Sequence, residues 1–212
     1  GLVRRRHEHG GSRGSPATAQ ERELRASALP VLLSALGVVL AAAGATPGPV
    51  LIDGPPAGHT GASGEPTCQV CHFGAPLDAP GGRLLLQGVP DAYAPGRAYT
   101  LTLVLESELM GAAGFQIGAR RPDGTQGGAF RALDPRVAVR DSAGLSWAQH
   151  TRAGTVVSNP DVASWSVTWI APESGAVLFG AAANSGNGDD SPFSDLVYTT
   201  TARSRPAPPQ LR

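Results

Sequence analysis

The feature that most limits the fold is the period of the apolar residues, which is two through most of the chain after residue 66. Residues 165–170 read Trp-Ser-Val-Thr-Trp-Ile, which places Trp165, Val167 and Trp169 on one face of a strand. Further strands are predicted at 99–105, 113–119, 176–182 and 196–201, with weaker ones at 84–86 and 137–140. Pro, Gly and Asn-Gly turns separate them, and no long amphipathic helix is predicted. The pattern predicts an all-β chain folded as an antiparallel β-sandwich.

The only two cysteines lie together in the sequence Cys68-Gln69-Val70-Cys71-His72. This C-x-x-C-H spacing is that of c-type haem attachment, in which two thiols bond the porphyrin and the histidine ligates the iron. We therefore predict haem c held covalently by Cys68 and Cys71, with His72 as the proximal ligand. Two other interpretations stay open, a Cys68–Cys71 disulfide and part of a metal site. A zinc site would need further ligands, and the chain has no second cysteine pair.

A six-coordinate haem iron needs a second axial ligand, usually His or Met. Our first choice for this distal ligand is His150, in the sequence Trp-Ala-Gln-His-Thr. His59 and Met110 are weaker alternatives. Each has an ordinary structural interpretation: His150 as a hydrogen-bonding residue that organises a loop, His59 as a solvated loop residue, and Met110 as part of the core.

The N-terminus predicts export. Arginines 4, 5, 6, 13, 22 and 25 precede an apolar stretch at 29–45 that ends in Ala43-Gly44-Ala45, as in a signal peptide and its cleavage site. An uncleaved membrane anchor is the alternative, because 17 apolar residues is close to the shortest span that crosses a bilayer. We therefore expect a periplasmic, cell-surface or secreted protein, associated with a membrane only if this segment is retained.

Four segments are predicted: a signal peptide or anchor at 1–45, a Pro/Gly-rich irregular lead-in at 46–66, the C-x-x-C-H segment with the β-sandwich at 67–201, and a disordered tail at 202–212. The chain carries 17 basic and 17 acidic residues. This balance argues against nucleic-acid binding. A haem protein of this kind would have a redox partner protein, which the sequence does not identify.

Asp189, Asp190 and Asp195 gather oxygen ligands in a Gly-containing loop, but their spacing does not fit an EF-hand, so a plain turn is favoured over a Ca²⁺ site. No hydrolase, zinc-protease or phosphate-binding motif is present in the sequence. Beyond the predicted haem, the sequence therefore does not indicate an enzyme.

An ordered set of short motifs resembles a known family. The stretch 60–72 resembles the opening of the choice-of-anchor V domain of exported bacterial proteins, and Tyr-x-Pro-Gly at 93–96, Gly-Phe at 114–115, Gly-x-Phe at 128–130, His-Thr at 150–151 and Trp-x-x-x-Trp-x-Ala-Pro at 165–172 follow in order. The same set resembles the Reeler domain. The resemblance covers about residues 58–201 and implies an immunoglobulin-like sandwich outside the cytoplasm. It implies no particular activity.

Two functions follow from these observations. The first is an exported mono-haem cytochrome-like protein, for electron transfer or haem-based sensing. The second is a non-catalytic periplasmic or cell-surface binding module of the Reeler-like kind, in which Cys68 and Cys71 form a disulfide.

Overall fold

The computed structural model describes residues 51–209, so the predicted signal peptide and the first part of the lead-in lie outside the described residues. This part of the chain is built from strands and two short 3-10 turns, at Cys68–Val70 and Arg152–Thr155. The strands are β1 (Phe73–Gly74), β2 (Gly82–Gln87), β3 (Ala92–Tyr93), β4 (Ala98–Ser107), β5 (Ala112–Arg120), β6 (Ala129–Ala132), β7 (Val137–Ser142), β8 (Leu145–His150), β9 (Val162–Ile170), β10 (Val177–Gly186) and β11 (Phe193–Pro206). Residues 51–209 contain no helix that is long and apolar enough to cross a bilayer.

The strands form two sheets that enclose one core, which confirms the predicted β-sandwich. The larger sheet has the order β1-β11-β10-β5-β8-β7, with β3 also paired to β11, and the smaller has the order β2-β4-β9-β6. Neighbours are antiparallel, apart from β1 and β3, which pair in parallel with β11. Buried apolar side chains from both sheets form one continuous cluster between them.

The predicted alternation in β9 is confirmed, because Trp165, Val167 and Trp169 are buried while Ser164 is exposed and Ser166 and Thr168 are half-buried. The Trp169 ring packs edge-on against Tyr93 and Phe179, with centroids 5.5 and 4.9 Å away. Aromatic residues are few in this chain, so each one fills a large share of the core.

The sheets differ from the sequence prediction, which omits strands β1, β3, β6 and β8 and ends β11 too early. Strand β8 has no apolar alternation, because Gln149 is as buried as Ala148, and the pattern therefore missed it. The predicted disordered tail at 202–212 begins too early, since β11 continues to Pro206. Ala202 and Ser204 pair with β10, and Arg205 pairs with β3. Backbone hydrogen bonds hold these residues in the strand. Their side chains are mostly polar or charged, so the sequence shows no apolar alternation that would predict a strand here.

The end of the lead-in lies along the outer face of the larger sheet, and we call residues 53–66 the strap. The side-chain amides of Gln149 and Gln116 donate to the backbone oxygens of Asp53 and Pro56, at 3.2 and 3.0 Å. At the other end of the strap, Glu65 pairs with the buried Arg120 at 2.9 Å. The strap thus covers polar side chains of β5 and β8 and leads directly into C-x-x-C-H.

Candidate functional site

The C-x-x-C-H residues sit on a single 3-10 turn at the edge of the larger sheet. The Thr67 hydroxyl caps this turn by accepting the Gln69 N–H at 3.2 Å. The Cys68 carbonyl accepts the N–H groups of both Cys71 and His72, at 3.1 and 3.0 Å. Three residues of a 3-10 turn rise about 6 Å. The turn therefore places the two cysteines at its two ends, about one turn apart.

His72 is held by a buried carboxylate. Its Nδ1 lies 2.5 Å from Oδ2 of Asp195, whose side chain is only 3% exposed while that of His72 is 36% exposed. The Asn184 amide donates to the same Oδ2 at 3.1 Å, and the Asn187 N–H donates to Oδ1 at 3.3 Å. Since a carboxylate oxygen accepts, the proton of the histidine bond lies on Nδ1. In the neutral form of the ring this leaves Nε2 with a free lone pair, as in a metal-ligating histidine.

Asp195 reaches His72 because the β1–β11 pairing is irregular. Phe73 is opposite Phe193, and Gly74 is opposite Asp195, so Ser194 is an extra residue in the ladder. Ser194 has a φ of 64°, in the left-handed region. Such bulges re-aim side chains. A Cβ on Gly74 would approach the Asp195 backbone oxygen to 2.3 Å, so only glycine allows the strands to pair this closely here.

The two cysteines differ in environment. Both carry free thiols; Cys71 is exposed, whereas Cys68 is partly exposed as a residue although its thiol is buried. This burial raises the pKa of Cys68 to about 12, outweighing a backbone hydrogen bond that acts in the opposite direction. A reactive cysteine nucleophile needs a lowered pKa. Cys68 therefore does not fit that role and stays a protonated thiol at neutral pH.

We expect the two thiols to differ in alkylation rate in the folded, reduced protein. The exposed Cys71 should react readily with iodoacetamide. Cys68 should react at least about tenfold more slowly than Cys71, because burial suppresses its thiolate. Mass-resolved labelling of Cys68→Ser and Cys71→Ser at pH 8 measures each rate, with the urea-denatured chains as controls. Equal rates in the folded chains would show that the 3-10 turn does not bury Cys68.

His150 is engaged by the backbone. Its Nδ1 accepts the Phe115 N–H at 2.9 Å, and its ring lies over Gly114, where a Cβ would come within 2.6 Å of the ring. Burial lowers the pKa of His150, opposed by hydrogen bonding to the Phe115 backbone and assisted by the charge of His72. His150 is only 9% exposed, so either ring nitrogen could reach an iron held outside the sheet only if the ring left this buried position.

The depressed pKa of His150 predicts a loss of stability in mild acid. An unfolded histidine binds a proton near pH 6.5 and the folded one only at lower pH, so this contribution is present above pH 6.5 and lost as the pH falls below it. For one proton, the free energy of unfolding changes by at most about 1.4 kcal/mol per pH unit. Urea unfolding between pH 7.5 and 5 should show a smaller pH dependence in His150→Asn, which keeps an acceptor for Phe115. An identical pH dependence in both chains would contradict the prediction.

The weaker distal alternatives lie in other environments. Gln116 accepts the His59 N–H at 2.6 Å, and the His59 ring Nδ1 lies 3.0 Å from the Pro56 oxygen, so this histidine is fixed within the strap. Met110 is 4% exposed and belongs to the core between the sheets. Met110 would have to leave the core to reach an iron held by His72.

The Asp189, Asp190 and Asp195 loop does not gather its carboxylates. Asp189 accepts hydrogen bonds from Asn187 and Ser191, which lower its pKa, and Asp190 has a φ of 59° in a tight turn. Asp195 instead points to His72. Within residues 51–209, no three His, Cys, Asp or Glu side chains are grouped to hold a metal ion.

The sequence missed the most informative contact of the site, which joins residues 72 and 195. The sequence groups Asp195 with two neighbouring aspartates as candidate Ca²⁺ ligands, because the three share one loop. A parallel pairing of a two-residue strand with β11 leaves no periodic signal in a sequence.

No protein-family profile matches this chain, and no curated protein matches it either. Among solved structures, the Reelin-N domain of F-spondin is similar with a TM-score of 0.44 and 18% identity, over 66% of this chain and 96% of that one. The human F-spondin Reeler domain gives 0.41 and 19%, over 64% and 91%. The sixth cohesin of Acetivibrio cellulolyticus scaffoldin B gives 0.35 and 10%, over 56% and 97%. The β-sandwich itself is established by the strand pairing within this chain.

Proposed function

We propose that this chain is an exported, non-catalytic binding module, and that the group it binds is a haem attached through Cys68 and Cys71. Membership in the choice-of-anchor V family and a Reeler-like form of the sandwich are part of the same proposal. The observation that carries it is the contact between His72 Nδ1 and the buried Asp195 carboxylate. A carboxylate on the far nitrogen is the usual support of a metal-ligating histidine, since it fixes the ring and leaves Nε2 for the metal.

The residue types are those that hold a c-type haem, and the buried Cys68 thiol would have to turn outward to bond it. Cys68 and Cys71 are both free thiols, and they share one turn with His72. Each thioether would form by addition of S–H across a vinyl C=C bond, so that one S–C and one C–H bond form and no oxidant or reductant is consumed. When bound, the haem would supply one-electron redox or ligand-binding chemistry through its iron.

The chain's own residues would position the group and limit its coordination. Asn184 and Asn187 hold Asp195, Asp195 orients His72, and His72 offers Nε2. Because His150 is buried and its Nδ1 accepts the Phe115 N–H, we expect His72 to be the histidine that the folded chain would offer to the iron. With a single histidine offered by the chain, the group would suit haem-based sensing of a small ligand better than electron transfer.

Production of the exported chain together with haem-maturation machinery tests the proposal. We expect a Soret band with a five-coordinate, high-spin spectrum, which His72→Ala abolishes or shifts strongly and His150→Asn leaves unchanged. Asp195→Asn should keep the covalent haem but shift the spectrum, because a neutral amide accepts more weakly from His72. A spectrum that changes in His150→Asn would restore His150 as the distal ligand.

A second candidate is the same binding module with a Cys68–Cys71 disulfide and a protein partner. It is favoured by the exposed aromatic rings of Phe73 and Phe193 beside the motif, which form an apolar surface suited to a partner. The two candidates differ in the state of the cysteines. A haem-free chain isolated from the periplasm with a mass two hydrogens below the reduced value would favour the disulfide form.

A further inference from the structure

Three apolar side chains next to C-x-x-C-H are exposed, and we call Val70, Phe73 and Phe193 the shelf. Their exposed fractions are 56%, 49% and 62%. The two phenylalanine rings pack on each other with centroids 5.8 Å apart and a tilt of 34°. Exposed apolar side chains that pack on one another form a patch, and such patches are more informative about binding than single exposed residues.

The backbone holds the shelf in place. The Phe73 N–H donates to the Pro192 oxygen at 2.7 Å, and Phe73 pairs directly with Phe193 across the parallel bridge. Ser194 lies between two residues of β11 that have different environments. Phe193 is exposed in the shelf, whereas Asp195 is buried against His72. One irregular strand pair therefore positions both the ligand-orienting carboxylate and the aromatic rings.

We infer that the shelf is the platform on which the porphyrin of the haem packs, an inference that rests on the proposed haem attachment. A ring system bonded to Cys68 and Cys71 and ligated by His72 is confined to the immediate surroundings of the turn. Val70 lies between the two cysteines, and Phe73 directly follows His72. A flat, apolar macrocycle is the partner that these exposed aromatic rings fit best, by stacking and edge contacts.

The cavities of the domain support the same placement. Two cavities on the described residues are lined by side chains from β2, β4 and the turn before β9, and by side chains from β7, β8 and the strap. Neither includes Cys68, Cys71 or His72. Since Cys71 is exposed and the His72 side chain is 36% exposed, an attached porphyrin would lie on the outside of the sheet, where the shelf supplies its apolar contact.

The shelf is expected to shield one side of the haem from water. Losing it would expose the iron to solvent, which favours the ferric state and lowers the reduction potential. In the double variant Phe73→Ser/Phe193→Ser, we expect the ferric-to-ferrous ratio at fixed potential to rise about tenfold, which corresponds to a fall of about 59 mV. The control Leu133→Ser/Val156→Ser removes two apolar side chains of similar exposure away from the motif and should leave the potential unchanged.

The deciding experiment is NMR of the phenylalanine rings in the haem-loaded and haem-free wild-type chain, assigned with Phe73→Leu and Phe193→Leu. Intact mass under denaturing conditions confirms loading in each sample. We expect both shelf rings to shift strongly on loading, through the ring current and the iron. Loaded protein with unshifted shelf rings would overturn the inference and leave the haem proposal standing.

Two other outcomes also exclude this role for the shelf. If the wild-type chain gains no haem mass despite competent machinery, the haem proposal fails and the inference fails with it. If the haem-loaded chain is a dimer that Phe193→Ser converts to a monomer without a change in the spectrum, the shelf is an interface between two copies of the chain. Sedimentation of the loaded chains at several concentrations distinguishes that case.

Discussion

Substituting alanine for Trp169 is expected to lower the free energy of unfolding by about 3–5 kcal/mol, the range for the loss of a large buried aromatic side chain. Trp169 is fully buried and contacts the rings of Tyr93, Tyr99 and Phe179. Its Nε1–H also donates to the Gly127 oxygen at 2.8 Å. The alanine variant would leave a cavity between the sheets and an unsatisfied backbone acceptor.

Urea unfolding followed by circular dichroism measures this loss, with Trp169→Phe as the second variant in case the alanine chain does not fold. The phenylalanine chain should lose less, because it keeps most of the ring volume and loses only the hydrogen bond and one ring. Leu133→Ala is the control, since Leu133 is half exposed and its loss should change stability by about 0.5 kcal/mol or less. A Trp169→Ala chain as stable as this control would contradict the position of Trp169 in the core.

Removing the Glu65 carboxylate should have a similarly large effect, about 3–5 kcal/mol, because it leaves a buried charge without its partner. Glu65 pairs with Arg120 at 2.9 Å, with both side chains largely shielded from water. The same carboxylate accepts from Thr60 at 2.5 Å and from the indole of Trp147 at 3.2 Å. The Arg120 guanidinium also stacks over the Trp147 ring, 4.5 Å from its centroid.

The exposed pair of Arg83 and Glu106 is the matched control, with side chains 65% and 37% exposed. Glu106→Ala should lower stability by about 1 kcal/mol or less, since solvent screens such pairs. Thermal unfolding of Glu65→Ala and Glu106→Ala under the same conditions compares the two. If both variants lose the same small amount, the strap is not held to the sheet by a buried charge pair. Release of the strap in Glu65→Ala would also expose Gln116 and Gln149, which faster amide exchange at these residues would report.

The parts of the fold that the sequence predicts are those with an apolar period. Strands β4, β5, β9, β10 and the middle of β11 each bury alternate or continuous apolar residues, and the sequence pattern found all of them. The pattern missed β8 because the face of Gln149 is covered by the strap, so polar residues are buried there and satisfied by backbone groups. It ended β11 too early because Arg203 and Arg205 are held by pairing rather than by burial.

The candidate site divides in the same way. The C-x-x-C-H spacing identifies Cys68, Cys71 and His72 because their chemistry depends on neighbours in sequence. The roles of Asp195, Phe73 and Phe193 depend on a bulged, parallel contact between residues more than one hundred positions apart, which spacing does not encode. The motif around His150 predicts a distal iron ligand, whereas in the structure its ring accepts a hydrogen bond from the backbone N–H of Phe115.

The most direct test of the account is the intact mass, under denaturing conditions, of the chain exported together with haem-maturation machinery. Cys68→Ser/Cys71→Ser, produced in the same way, is the reference. The account predicts that the wild-type chain is heavier than its apoprotein by one haem, and that the double variant has the mass of its apoprotein. A wild-type chain at apoprotein mass, or two hydrogens below it, would contradict haem attachment, and the lower of these two masses would favour the binding module with a Cys68–Cys71 disulfide.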